Sequence, residues 1–130
     1  MHYKEIIEQS KREKVNNPVP ANNNEAEESF NNDYFGVESI RNLPACIDYR
    51  LADGDFVAIP YSLLTGINYN PDKGIEITYA NYSVKIIGFN LRQLYYYLAL
   101  YRVRYVQASM GQNIDFNDHI QVTQIDIQFL

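Results

Sequence analysis

The stretch GIEITYANYSVKIIG, Gly74–Gly88, decides how this chain folds. Apolar and polar residues alternate along both of its halves, with apolar side chains at Ile75, Ile77, Tyr79, Tyr82, Val84 and Ile86. A period of two is typical of strands with one buried face, and Ala80–Asn81 lies where a short turn would join two such strands. The stretch therefore predicts an antiparallel hairpin.

Strand patterns also precede this hairpin. Residues 47–51 alternate in the same way, and Asp53–Gly54 is a dipeptide that favours a tight turn. The run Phe56–Pro60 predicts the returning strand, which ends at a proline that cannot donate a hydrogen bond to a sheet. A third strand is predicted around Ile67–Tyr69, and Asn70–Gly74 has the composition of a type I turn.

One helix is predicted after the hairpin, in LRQLYYYLALYR, from about Leu91 to Arg102 with Asn90 as its N-cap. Strand character resumes at Val103. Toward the end of the chain the apolar alternation shifts by one residue, which predicts either a bulge near Thr123–Gln124 or two separate short strands.

Together these patterns predict an α+β fold class. We expect a mainly antiparallel curved sheet, or a small open barrel, of about six or seven strands with one helix, about 91–102, packed on it. Residues 1–15 predict a short amphipathic segment, and residues 16–33, rich in asparagine, glutamate and proline, predict a disordered linker or a tail that folds on a partner. Residues 34–130 are then a single domain.

The stretch Phe56–Leu98 resembles small uncharacterised bacterial domains in which consecutive antiparallel strands precede one helix. Its order of elements, and the passage IPYS at residues 59–62, are also similar to pleckstrin-homology-like modules. The resemblance covers a third of the chain. It implies an α+β fold of that kind and carries over no functional residue.

Composition and charge narrow the classes of function. The chain has 130 residues, which fits one domain, and a net charge of −5. Residues 1–40 hold four basic and eight acidic side chains, whereas residues 41–130 hold seven and eight, so the predicted domain is nearly neutral. An acidic chain is a poor match for a phosphate backbone. No apolar run suits a signal peptide or a membrane span, so we expect a cytoplasmic protein with no membrane insertion.

No pattern in the sequence predicts a catalytic residue, a cofactor or a metal site. Asp115, Asp118 and His119 lie close together, but they fit a polar loop better than a known metal-binding loop. The single cysteine, Cys46, has no histidine near it in sequence and is best explained as a small apolar filler.

Two acidic pairs, Asp53/Asp55 and Asp72/Glu76, resemble paired catalytic carboxylates only in that each consists of two acidic residues. Both flank predicted turns, where aspartate bonds to the local backbone. We therefore do not expect an enzyme.

The predicted helix carries the one surface that core packing does not explain. On a helical wheel its core face is Leu91, Leu94, Tyr95, Leu98, Tyr101 and Arg102. The opposite side presents Arg92, Tyr96 and Leu100, which are four residues apart and form one ridge, with Tyr97 beside it. A tyrosine and a leucine on an outer face are more than a solvated helix needs.

Three explanations for this surface compete. Another part of the same chain covers it, such as the N-terminal segment or the passage DYFGV, residues 33–37. It contacts a partner protein or a second copy, since tyrosine and arginine are enriched at interfaces. It binds single-stranded nucleic acid, with tyrosines stacking on bases and Arg92, Arg102 and Arg104 on phosphates. The second is the leading prediction, a non-catalytic interaction or self-association module that uses Arg92, Tyr96, Tyr97 and Leu100, and nucleic-acid or regulatory binding is the alternative.

Overall fold

The computed structural model of this protein describes residues 28–109 and 119–130. Nine strands and one α-helix lie within these residues: β1 Phe30–Asn31, β2 Phe35–Val37, β3 Cys46–Arg50, β4 Phe56–Pro60, β5 Leu64–Asn70, β6 Gly74–Tyr79, β7 Tyr82–Phe89, α1 Arg92–Ala99, β8 Val103–Gln107 and β9 Gln121–Phe129. A 3₁₀ turn, Tyr61–Leu63, joins β4 to β5.

The strands form two sheets. The five-stranded sheet has the order β1-β2-β8-β3-β4, and the four-stranded sheet has the order β5-β6-β7-β9. The predicted hairpin is confirmed, since β6 and β7 pair antiparallel with Ile77 opposite Val84. One pairing is parallel, with Asp48 of β3 opposite Tyr105 of β8.

The predicted α+β fold class is wrong. Strands contain 53% of the described residues and helices contain 12%, and the described strands form two sheets with no closed barrel. The division falls where β4 ends at Pro60, which cannot donate to a sheet. The 3₁₀ turn that follows directs the chain into the other sheet, so strands that alternate alike in sequence do not share one sheet.

The two sheets share one apolar core. Ile47 and Tyr49 of β3 belong to the same buried cluster as Ile77 and Tyr79 of β6. The hydroxyls of Tyr49 and Tyr79 lie 2.6 Å apart and form a buried hydrogen bond between the sheets. Buried hydroxyls need such partners, so this contact fixes how the sheets align.

The bulge predicted near Thr123–Gln124 is confirmed. Ile87 pairs with Gln124, but the next residue, Gly88, pairs with Val122, so Thr123 is the extra residue of β9. The Thr123 hydroxyl donates to the Ile87 carbonyl at 3.0 Å. The backbones are so close here that a Cβ at position 88 would lie 1.9 Å from the carbonyl oxygen of Gln121, which explains why position 88 is a glycine.

The described residues begin inside the range predicted as linker. Phe30–Asn31, which falls within residues 16–33, forms β1 and pairs antiparallel with β2. The folded domain therefore starts before the predicted boundary at residue 34. The predicted segment 1–15 lies outside the described residues, as does the range 16–27.

Candidate interaction surface

The helix is shorter than predicted, and both of its ends differ from the prediction. Asn90 is not the N-cap: Leu91 takes that position, and no side chain caps the helix. Asn90 has a φ of 58°, and its side-chain amide donates to the His119 carbonyl at 3.0 Å. The helix ends at Ala99, three residues before the predicted Arg102.

The C-terminal end is closed by two backbone hydrogen bonds. Arg102 N–H donates to Tyr97 O and Tyr101 N–H donates to Leu98 O, each at 3.0 Å. This is the pattern of a Schellman motif, whose left-handed position is usually a glycine. Here Tyr101 occupies it with a φ of 61°. Its ring stacks on Tyr61 at 4.7 Å, a contact that holds the side chain in place and helps to stabilise a conformation that tyrosine rarely adopts.

Leucines on the predicted core face of the helix are buried as expected. Leu91, Leu94 and Leu98 are each at most 2% exposed. Tyr95 is half-buried and stacks on Tyr69 of β5 at 5.6 Å. The inward face thus anchors α1 on the core that the two sheets share and leaves its opposite side facing outward.

The outward side carries the helix ridge, which we define as Arg92, Tyr96 and Leu100. Arg92 is exposed, and the side chains of Tyr96 and Leu100 are 56% and 44% exposed. Tyr101 was predicted to be in the core but is 42% exposed, because the helix has ended before it. The exposed surface therefore includes a residue that sequence reasoning assigned to the core.

Tyr97, which was predicted at the interface beside the ridge, is half-buried. Its ring meets those of Phe30 and Phe35 edge-on, at 5.4 and 6.2 Å. On another side the guanidinium of Arg102 lies 5.2 Å from the ring centre. The prediction could not anticipate this because Phe30 comes from the range predicted as linker.

The passage DYFGV, residues 33–37, covers only the inner flank of the helix. Through Phe35 it contacts Tyr97, while Tyr96 and Leu100 stay exposed to solvent with respect to the described residues. Of the three explanations for the ridge, cover by this passage is thus excluded for Tyr96 and Leu100. Residues 1–15, the other segment that was predicted to cover the ridge, lie outside the described part of the chain.

Two of the three arginines in the nucleic-acid alternative have structural roles. Arg102 is buried and donates to the carbonyls of Glu38 and Glu28, at 2.9 and 3.1 Å. Arg104 forms an ion pair with Glu38 at 3.5 Å. Of the three arginines, Arg92 alone is exposed. Nucleic-acid binding therefore stays a prediction in which Arg92 is the one exposed arginine available to bind a phosphate.

The residues considered for catalysis show local structural contacts. The Asp53 carboxylate accepts the Asp55 N–H at 2.9 Å within a turn, as turn chemistry predicts. Cys46 is half-buried at the start of β3. Within residues 28–109 and 119–130, no group of three or more His, Cys, Asp or Glu side chains is placed to hold a metal ion. Asp115 and Asp118 lie outside these ranges.

Three buried tyrosines have raised pKa values. Burial raises the pKa of Tyr49 well above its usual value and raises that of Tyr79 to about 12. Burial also raises the pKa of Tyr61, whose hydroxyl donates to Val103 O at 2.8 Å and accepts from Val103 N at 3.1 Å. A raised pKa extends the range over which each hydroxyl stays protonated into alkaline pH, where these groups can still donate the buried hydrogen bonds that they form.

No protein-family model, curated protein or solved structure matches this chain. The resemblance to small bacterial domains and pleckstrin-homology-like modules therefore stays a prediction. No helix among the described residues is long and apolar enough to cross a membrane.

Proposed function

We propose that this chain is a non-catalytic protein–protein interaction module, and that the helix ridge is its contact surface. The observation that carries the proposal is the exposure of Tyr96, on the outer face of α1, together with Leu100, the C-cap residue four positions later. Large apolar side chains that lie together on a surface mark interaction sites more often than isolated ones do.

The chemistry of the ridge suits a protein partner. Tyr96 offers a large ring with a hydroxyl, Leu100 offers apolar area, and Arg92 offers a charge-assisted donor for a carboxylate. The ridge lies on a helix anchored by buried leucines, so its side chains are presented with little backbone ordering left to occur on binding. A partner with an apolar patch beside an acidic group fits this arrangement, and a second copy of the chain is included.

The test is association of the wild type compared with Tyr96→Glu/Leu100→Glu, measured by sedimentation velocity and by photo-crosslinking from position 93 on the same helix. If the two side chains are central to a contact, the double substitution weakens it by at least about 30-fold. Lys73→Glu is the matched control, because Lys73 is exposed in the β5–β6 turn and this substitution changes net charge by the same amount.

The proposal predicts that a crosslink from position 93 to one protein disappears in the ridge variant and persists in Lys73→Glu. A chain that forms no crosslink from the helix to any protein, and whose association state is the same in all three forms, contradicts it.

A further inference from the structure

Strand β9 is an edge of the four-stranded sheet. It pairs with β7 on one side. On its other side, the described residues place one backbone contact, from Ser109 N–H to Val122 O at 2.8 Å. That contact covers the start of the strand, so β9 is open from Gln124 onward with respect to the described chain.

A hydrogen bond at the end of β9 shows which of its backbone N–H and C=O groups face the open side. Leu130 N–H donates to Asn81 O at 2.9 Å, toward the β7 side. Because successive residues of a strand point their N–H and C=O groups to opposite sides, those of Ile125, Ile127 and Phe129 point away from β7. These three residues present a row of donors and acceptors for another strand.

The side chains at this edge lack the features that block strand pairing. The run from Gln124 to Leu130 has no proline, and Asp126 is its one charged residue. Phe129 and Leu130 are 77% and 68% exposed. Natural edge strands are usually protected by proline, charge or a covering segment, and an edge that is long, apolar and weakly charged favours the addition of a strand.

We propose that β9 pairs antiparallel with β9 of a second copy of this chain, with Ile127 opposite Ile127 of the second copy. The pairing joins the two four-stranded sheets into one continuous sheet across a two-fold axis. A strand that pairs with itself in this way makes a self-complementary contact, which is the usual form of a dimer interface.

The charge of Asp126 favours the register centred on Ile127 over the register centred on Asp126. A register centred on Asp126 would set two carboxylates directly opposite each other at the closer, non-hydrogen-bonded spacing. The register centred on Ile127 instead sets Asp126 opposite the amide of Gln128, and Ile125 opposite the exposed ring of Phe129. It also lets each outward N–H and C=O of Ile125, Ile127 and Phe129 find a partner.

The covered start of β9 agrees with this register. In the proposed pairing Gln124 lies opposite Leu130 of the second copy. Of the paired residues of β9, Gln124 is the one nearest to Val122. The Ser109 contact with Val122 therefore lies next to the end of the new ladder and does not obstruct it. A register shifted further toward the start of β9 would meet Ser109.

The inference goes beyond the proposed function, because it names a second copy as a partner and assigns that contact to β9 and not to the helix ridge. The experiment is sedimentation velocity of the full chain over a concentration series, for the wild type and three β9 variants. Ile127→Pro removes the central N–H of the new ladder. Since that N–H points away from β7, the pairing of β9 with β7 is kept, and proline is tolerated at such edge positions. We expect a dimeric wild type and a monomeric Ile127→Pro.

Gln128→Lys and Gln128→Glu test the register. Gln128 is exposed, on the face of the sheet turned away from the core. Opposite Asp126, a lysine adds two ion pairs per dimer and lowers the dissociation constant about fivefold, whereas a glutamate raises it by a similar factor. In a register centred on Gln128 both substitutions would set like charges opposite each other and weaken the dimer. These surface substitutions decide the question even if Ile127→Pro fails to fold, which circular dichroism would show.

The outcomes separate this inference from the proposed function. A monomeric wild type, or a dimer that the β9 variants leave unchanged, overturns the inference, while crosslinking from the helix that is lost in Tyr96→Glu/Leu100→Glu still supports the ridge. A dimer that follows the predicted order at position 128 and ignores the ridge variant supports the inference and removes the ridge from self-association.

Discussion

The buried pair Tyr49 and Tyr79 gives the sharpest test of how the two sheets are held together. Their hydroxyls lie 2.6 Å apart, one on β3 and one on β6, and both side chains are at most 1% exposed. Tyr49→Phe removes one hydroxyl with almost no change in shape. The hydroxyl of Tyr79 then loses its partner in a place that water does not reach.

The expected magnitude follows from that lost partner. A buried polar group left without a hydrogen bond costs about 1–3 kcal/mol, so we take about 2 kcal/mol for each single variant. In Tyr49→Phe/Tyr79→Phe no hydroxyl is left unpaired, so the double variant should lose only the net value of one hydrogen bond, about 1 kcal/mol, and not the sum of about 4 kcal/mol. The coupling free energy is therefore about 3 kcal/mol in a double-mutant cycle.

The assay is urea unfolding followed by far-ultraviolet circular dichroism, at one protein concentration for all variants because self-association would shift the apparent stability. Tyr96→Phe is the control, since Tyr96 is exposed on the helix ridge and its change should stay within about 0.5 kcal/mol. Free-energy losses that add in the double variant, or no loss in Tyr49→Phe, would refute the structural role of the pair.

Two further predictions concern alkaline pH and the bulge. The folded-state pKa of Tyr79 is raised by burial to about 12, above an unfolded value of about 10, so its stabilising effect is complete below pH 10 and is lost as pH rises from 10 to 12. The free energy of unfolding should fall there by up to about 1.4 kcal/mol per pH unit for this group. Urea midpoints at pH 8, 10 and 11 measure the fall, which should be smaller in Tyr79→Phe. An identical fall in the wild type and in Tyr79→Phe would show that Tyr79 does not cause it. Gly88→Ala should destabilise the fold by about 2–3 kcal/mol, because its Cβ would lie 1.9 Å from the backbone oxygen of Gln121. In thermal unfolding the control Gly66→Ala, which has open space around its Cβ position, should be neutral or stabilising by up to about 1 kcal/mol, and equal melting temperatures for the two variants would contradict the close approach.

Local pattern was enough to predict several parts of this fold. The hairpin of β6 and β7 follows from strict alternation and a two-residue turn, since both depend on neighbours in sequence. The bulge at Thr123 follows from a one-residue change of phase in β9. The helical period also predicted which side of α1 is buried, and hence that Arg92, Tyr96 and Leu100 point outward.

The local sequence pattern did not predict where the helix ends. The sequence predicted that α1 continues to Arg102, because no glycine or asparagine marks a left-handed stop. Tyr101 adopts that conformation because its ring stacks on Tyr61, a residue forty positions away in the chain. Because the helix ends at Ala99, Tyr101 is 42% exposed, although the helical wheel placed it in the core.

What the sequence determined by itself is therefore the hairpin of β6 and β7, the bulge in β9, and the outward ridge of the helix. The tertiary structure alone decided that the strands divide into two sheets, that β3 runs parallel to β8, and that Tyr97 turns inward against Phe30. It also decided that β9 lies at an edge of the sheet that the described strands form. These features depend on pairings between residues far apart in the chain, and alternation within one strand carries no information about which strand lies beside it.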